Sequence, residues 1–266
     1  MAGLTGKTIA SAYKTILRVD DDTNGVDTSL ESVTDGEGTA SALKLSDDQF
    51  AVQPQNDDTT EAFYVKAKGG SSLLAVDSTN SVVKAGLGQT NVLTQYAYFG
   101  INYSDFSAIA ANTHYPIPFS AVGGGSSLLN DVDFGTGTDP DTSFTTADTD
   151  TQYASQIVPM MWFVPDAIAI DSVTSIEVAD AATGDTTRMH LMSFQYNHNS
   201  TSVLTGGTLL AHNNDVTNAG NEQTYKSTWT IDEANASGGG VILAFFRGDS
   251  VNSDMSLNIT IKYHVR

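Results

Sequence analysis

The sequence predicts a mainly β protein with a short N-terminal helix, a small repetitive β module and then an antiparallel β-sandwich of jelly-roll type. Only 16% of the 266 residues are charged, against the ~25% that is usual, while Gly, Ser, Thr, Asn and Asp abound. That composition is typical of short strands joined by many turns. Two patterns support it: a weak repeat over residues 33–85 and a strict alternation of apolar and polar residues at the C-terminal end.

The first predicted element is a helix over about residues 8–19. Ile9, Tyr13, Ile16 and Leu17 recur there at helical spacing, and the polar run 20–25 ends the pattern. A helix this short needs packing to be stable. It is either a surface helix covering a sheet or a docking element that inserts into a larger assembly.

The repeat over residues 33–85 has a period of about 32 residues. Each unit predicts a strand, a glycine turn, a second strand, a polar turn and a third strand. Few large apolar side chains occur, and two or three short strands are marginal on their own. We therefore expect burial against the second domain or, more simply, against copies of the chain. The residues expected to make the contact between copies are Leu43, Leu45, Leu73 and Val76.

The second half predicts the sandwich. Seven of the 12 Lys and Arg residues precede Tyr96 and none lies between Tyr96 and Thr187, so the predicted domains are 1–95 and 96–266. Eight strands are predicted. They cover residues 114–121, 157–164, 168–178, 188–196, 208–211, 225–231, 241–246 and 255–265. Trp162, Trp229, Phe245 and the odd-numbered residues of the last strand are expected in the core, and residues 123–151 are expected to form a long exposed loop.

Charge and composition exclude several classes of function. The formal net charge is -19 and the pI is near 4.2, which argues against binding to nucleic acid or to an anionic membrane surface. The absence of cysteine removes disulfides, cysteine-ligated zinc and thiol catalysis. No apolar run approaches the ~18 residues of a membrane-spanning helix.

One motif matches a calcium-binding pattern: Asp20, Asp22 and Asn24, followed by Gly25 and Glu31, have the spacing of an EF-hand loop. Asp27 stands where that loop needs an apolar residue, and the sequence after Ser32 cannot form the second helix. We therefore predict a polar turn and no bound cofactor, and keep these four residues as the candidates for Ca²⁺.

Other motifs lead to no catalytic residue. The pairs Asp131/Asp133 and Asp139/Asp141 fit a glycosidase acid and base, a weak cation site or a solvated surface, and the last two are preferred. The five histidines show no metal-binding spacing, and His190 is expected to be structural. Tyr96, Tyr98, Tyr103 and Tyr115 would stack on sugars or line a seam between the domains.

The N-terminal third resembles structural appendage proteins, of the fibre and capsid-decoration type, from marine tailed bacteriophages. The resemblance lies in Thr8-Ile9 with Tyr13–Asp20, in Val33–Ser46 and in Phe63–Asp77, and the closing Ile261–Arg266 also fits. It implies a trimer whose N-terminal region anchors it to the virion and whose β head faces outward. The residues expected to anchor it are Lys7, Ile9, Tyr13, Lys14, Ile16, Leu17 and Arg18. It carries no catalytic residues.

The expected function is therefore that of a non-enzymatic virion protein: a homotrimeric fibre or appendage that binds other proteins of the capsid or tail. The outward sandwich would contact a host surface glycan. The alternatives are a capsid decoration (cement) protein that stabilises the shell, a Ca²⁺-dependent carbohydrate-binding module and, least favoured, a glycan hydrolase.

Overall fold

The structure is a computed structural model, and the chain divides into two compact units, Met1–Leu93 and Thr94–Arg266. It describes residues 16–21, 23–86, 90–92, 94–105, 110–119, 132–146, 154–180, 184–220, 223–249 and 254–266. Nearly all regular structure in these ranges is antiparallel β-strand. The mainly β fold class is therefore confirmed.

The first unit contains two four-stranded sheets, each with its strands in chain order. The first sheet consists of β1 (Arg18–Val19), β2 (Glu31–Thr34), β3 (Ala40–Leu45) and β4 (Phe50–Val52). The second consists of β5 (Phe63–Lys66), β6 (Ser72–Asp77), β7 (Val82–Ala85) and β8 (Thr90–Asn91).

Strands β2–β4 and β5–β7 form two modules that are offset by 32 residues, and we call them the first and second module. Their first turns have the same hydrogen bonds: Gly38 N–H donates to Asp35 O and Gly70 N–H donates to Ala67 O, at 3.1 and 2.8 Å. Both glycines have a positive φ, of 86° and 89°, which a side chain would strain. The turn chemistry thus explains why the two glycines recur 32 residues apart.

No N-terminal helix is seen in the described residues. Its predicted last turn contains β1, in which Arg18 and Val19 pair with Thr34 and Val33 of β2. The end of the predicted helix is therefore wrong, because pairing with the edge of β2 satisfies this backbone instead. Residues 8–15 of the prediction lie outside the described residues.

The second unit contains a five-stranded and a seven-stranded antiparallel sheet. The five-stranded sheet has the order β16-β12-β20-β9, with β18 beside β12. The seven-stranded sheet has the order β10-β19-β13-β14-β17, with β11 beside β19 and β15 beside β13. The strands are β9 (Thr94–Asp105), β10 (Tyr115–Ile117), β11 (Trp162–Val164), β12 (Ile168–Asp180), β13 (Thr186–Tyr196), β14 (Leu204–His212), β15 (Val216–Thr217), β16 (Gln223–Thr228), β17 (Thr230–Ile231), β18 (Asn235–Ala236), β19 (Gly240–Gly248) and β20 (Asp254–Val265).

The two sheets share a hydrophobic core on their facing sides. β20 contributes Leu257, Ile259 and Ile261, the odd-numbered face that its alternation predicts, and Trp162 and Trp229 lie in the same core. The core prediction is confirmed for these residues. Phe245 is also buried, but it points to the opposite side of the seven-stranded sheet.

A second core covers that opposite side. Val132, Phe134 and Phe144, together with a helical turn α1 (Ala154–Ile157) and a 3₁₀ turn (Val158–Met160), pack against β13, β14 and β19. In the described part of the predicted exposed loop, 132–146, more than half of the residues are exposed, as expected, but Val132, Phe134 and Phe144 are buried and hold the segment on the sheet. We call residues 132–146 the cover segment.

Three strand predictions need correction. β9 was not predicted, although Ala97, Phe99 and Ile101 alternate and are buried. The predicted strand 157–164 begins with the 3₁₀ turn, because Pro159 favours the start of a helical turn. The predicted strand 225–231 is two strands, because the chain passes from the five-stranded to the seven-stranded sheet at Trp229.

No helix in the described ranges is long and apolar enough to span a membrane.

Trp229→Ala should lower the free energy of unfolding by about 3–5 kcal/mol. The indole is 5% exposed, and its Nε1–H donates to Ser175 Oγ at 2.9 Å, so the change leaves a cavity and an unpaired hydroxyl. Urea unfolding followed by circular dichroism measures the loss. Phe163→Ala, at a ring that is 56% exposed, is the matched control. Equal losses in the two variants would contradict the burial of Trp229.

Candidate functional site

The first unit exposes most of its apolar side chains. Val33 and Ala75 are its buried apolar residues among those described, whereas eleven of the 17 exposed large hydrophobic residues of the described chain belong to it. Each sheet therefore has apolar side chains without a core beneath them. Such a surface marks a site of association.

The cross-strand register shows which apolar residues share a face. In the first module, Leu43 pairs with Val52 and Leu45 with Phe50, so these four lie on one face. In the second module, four cross-strand pairs place six apolar residues on one face of the sheet. These residues, which we call the second-module patch, are Phe63, Val65, Leu74, Val76, Val83 and Ala85.

The two modules carry their apolar residues on non-equivalent faces. The second-module residues that correspond to Leu43, Leu45, Phe50 and Val52 are Ala75, Asp77, Val82 and Lys84. Asp77 is fully buried, and Lys84 Nζ donates to its Oδ2 at 2.7 Å. This bond, with a further one from Asn80, lowers the pKa of Asp77 to about 2. An ion pair thus stands where the first module is apolar.

The predicted contact residues therefore do not form one surface. Leu43 and Leu45 share a face, and Val76 belongs to the second-module patch. Leu73 does not, because Val65 pairs with Leu74 and Lys66 with Ser72, which leaves Leu73 as the extra residue of a β-bulge.

The predicted anchoring residues are only partly described. Lys7, Ile9, Tyr13 and Lys14 lie outside the described residues. Ile16 and Leu17 are exposed, and the Arg18 guanidinium lies 3.3 Å from Asp20 Oδ1.

The described residues of the calcium pattern take part in separate local contacts. Asp21 Oδ1 accepts hydrogen bonds from the backbone of Asn24 and Thr23, which lower the pKa of Asp21. Asp20 is paired with Arg18, Glu31 lies in β2 opposite Leu45, and Asp22 is outside the described residues. No group of three His, Asp or Glu side chains in the described ranges is placed to hold one metal ion.

A buried histidine pair lies beneath the cover segment. The rings of His114 and His190 are fully buried and 4.9 Å apart, and His114 Nδ1–H donates to Gly135 O at 3.1 Å. Burial lowers the pKa of His114 and lowers that of His190 to about 3, so both are neutral at pH 7. His190 is thus a buried part of the core between sheet and cover segment.

The acidic residues of the cover segment do not form an open pair of carboxyls. Asp133 Oδ1 accepts the Gly135 N–H, Asp141 packs against Gly135, and Asp139 lies 3.7 Å from His190 Nε2. Asp131 lies outside the described residues. These contacts fit a folded cover better than a catalytic cleft.

The tyrosines noted in the sequence separate into different environments. Tyr96 and Tyr98 are 54% and 45% exposed on the outer side of β9. Tyr115 is buried, and its hydroxyl accepts the Ala110 N–H. The side chain of Tyr103 lies outside the described ones.

A groove opens where the two sheets of the second unit end. Its volume is about 730 Å³, within the range of ligand-binding pockets. Ser193, Gln195 and Thr208 of the seven-stranded sheet line it, together with Glu233, Asn235 and the glycine run 238–240. Tyr196, 44% exposed, lies at its edge. We call this the end groove. The groove could not be predicted from the sequence, because its residues come from five strands and the loops between them.

Glu177 is the other buried ionisable group, but it lies inside the sandwich. It is 2% exposed, and the Thr187 hydroxyl donates to its Oε2 at 2.8 Å, while Oε1 has no partner in the described chain. Burial raises the pKa of Glu177 to about 7. Since none of the described pockets includes it, we interpret this carboxyl as structural.

No protein-family model matches this chain, and no curated protein sequence matches it significantly.

Glu177→Gln should flatten the pH dependence of stability. Because the pKa of Glu177 is higher in the folded chain than the ordinary glutamate value of 4.5, burial of this carboxyl does not destabilise the fold below pH 4.5 and destabilises it by about 3 kcal/mol above pH 7. Wild-type stability should therefore fall relative to the variant as the pH rises from 4.5 to 8. Urea midpoints across this range measure the difference, with Glu233→Gln, at an exposed carboxyl, as control. Parallel curves for wild type and Glu177→Gln would refute it.

Proposed function

We propose that this protein is a non-enzymatic structural protein of a bacteriophage virion, a homotrimeric fibre or appendage. Its N-terminal region would attach it to the capsid or tail and its second unit would face outward. The observation that carries the proposal is the first unit, whose single-layer sheets expose apolar faces that need a partner.

The strand order of the second unit supports its assignment as a jelly roll. Taken along the chain, the eight main strands are β9, β10, β12, β13, β14, β16, β19 and β20. Numbered one to eight, they lie in the orders one-eight-three-six and two-seven-four-five in the two sheets. This order supports a jelly roll, an architecture that viral capsid proteins and lectins use. Fold alone does not give function, so the assembly carries the rest of the proposal.

The second-module patch is the surface that supports self-association best. Copies with a net charge of -19 repel one another, so a contact between them needs a surface without acidic groups. The patch has no ionisable residue, and most of its side chains are partly exposed. Burial against the same patch of neighbouring copies would give these strands the core that they lack.

Val65→Lys should convert the trimer to monomers, because it places a cation in the patch. Light scattering of the wild type should give about three times 28.1 kDa, and the variant about 28.1 kDa. The matched control is Leu73→Lys, at the bulge of the same sheet and outside the patch: Val65 is 45% exposed and Leu73 is 42% exposed. A wild-type monomer would refute trimerisation. Loss of the trimer in Leu73→Lys alone would place the contact outside the patch.

Deleting residues 1–17 should abolish incorporation into particles and leave the second unit folded. The deletion removes all the predicted anchoring residues except Arg18 and retains β1. Particles assembled with the variant are purified on a density gradient and probed for it. Both tryptophans lie in the second unit, so their fluorescence reports its folding.

The control for this deletion is a chain in which residues 1–17 are scrambled at constant composition. It should also fail to incorporate if the sequence, and not the charge, makes the contact. Wild-type incorporation of the truncated chain would place the anchor elsewhere. Imaging of the particles distinguishes a tail appendage from a capsid decoration protein.

A further inference from the structure

We propose that the end groove of the second unit binds a neutral oligosaccharide. This inference deepens the proposed function. It depends on the proposed function in one respect, that the second unit faces outward. The chemistry of the groove carries the argument.

The groove continues the inner face of the seven-stranded sheet beyond the hydrophobic core. On β13, Met189 and Leu191 point into the core shared by the two sheets, and the next residues on that face are Ser193 and Gln195. Ser193 lies opposite Ile242 and Thr208 on the two neighbouring strands. The face thus changes from apolar to polar where the opposing sheet ends, and the space between the sheets opens to solvent.

A glycine run lines another part of the groove. Cβ atoms on Gly238 and Gly240 would lie 2.8 Å from Pro165 O and 2.7 Å from Phe194 O, so both positions require glycine. The Gly239 N–H donates to Val164 O at 2.7 Å, and Gly240 begins β19. The run therefore places no side chain in the groove.

The inner face of the groove carries three polar side chains. Ser193, Gln195 and Thr208 make no side-chain hydrogen bond within the described part of the chain, whereas the side chains of Asn197 and Glu233 are hydrogen-bonded to neighbouring groups. Amides and hydroxyls each donate and accept, as the hydroxyl groups of a sugar do. Tyr196 also borders the groove, but it lies on the opposite face of β13, the face of Met192 and Phe194.

The charge of the groove selects a neutral ligand. Its lining contains one carboxylate, that of Glu233, and no Lys, Arg or His. In a chain of net charge -19, a sialylated or sulfated glycan would be repelled without a compensating cation. An uncharged sugar chain is not repelled in this way.

The test uses the full-length chain on an array that carries neutral, sialylated and sulfated glycans. We expect binding to neutral glycans. The best of them is then titrated in solution as a free oligosaccharide, with saturation-transfer NMR to map its contacts and 3′-sialyllactose as the anionic comparison.

Two variants and one control locate the site. Gln195→Ala and Thr208→Val should each weaken binding about tenfold or more, and Thr208→Val keeps the test valid if the first variant is unstable. Tyr98→Ala, at a ring that is 45% exposed on the outer side of β9, is the control and should bind like the wild type. Thermal melting checks the folding of each.

Three outcomes would overturn the proposal: no neutral glycan is bound, only charged glycans are bound, or Tyr98→Ala loses binding while both groove variants keep it. Light scattering on the same samples reports the trimer independently. If the chain is a trimer but binds no glycan, only this inference is refuted. If the chain is a monomer but binds glycan, only the proposed assembly is refuted.

Discussion

The second unit depends on burying the central strand β19 on both of its faces. Val241–Phe246 is a continuous apolar run, with Ile242, Ala244 and Phe246 directed to one core and Val241, Leu243 and Phe245 to the other. The five-stranded sheet covers the first set, and the cover segment with its helical turns covers the second. The cover segment approaches so closely that a Cβ on Gly207 would lie 2.8 Å from Thr142 Cα. A simple two-layer arrangement would have left half of β19 in water.

The buried ionisable groups in the described part of this acidic chain are either paired or disfavoured in their charged form. His114 and His190 are kept neutral by burial, Glu177 has its pKa raised to about 7, and Asp77 is held by Lys84. Uncompensated negative charge therefore remains on the surface, where water and salt screen it. The surfaces left for association are then the few without carboxylates, which is why the second-module patch stands out.

How far the sequence predicts this structure depends on whether the pattern is local. β20 alternates over its whole length and β19 is uniformly apolar, so both could be predicted along with most of their core. The 32-residue spacing of the turns is also local, since it depends on glycines at Gly38 and Gly70. The burial of the cover segment could not be predicted, because Phe134 and Phe144 are isolated in an acidic stretch. The end groove could not be predicted either, because its lining residues come together only after the sheets have formed. The failure of Leu73 and Val76 to share one patch also could not be predicted, because it depends on a bulge opposite Val65 and Lys66.

The placement of apolar residues on non-equivalent faces of the two modules limits how this chain can change in length. An array of equivalent repeats can gain or lose a copy by unequal recombination, because each copy meets its neighbours in the same way. Here a duplicated second module would bring the Asp77–Lys84 pair to positions where the first module has Leu45 and Val52. A duplicated first module would bring Leu43 and Phe50 to positions where the second has Ala75 and Val82. The two modules share a backbone plan but are not interchangeable, so the number of modules is fixed by their side chains.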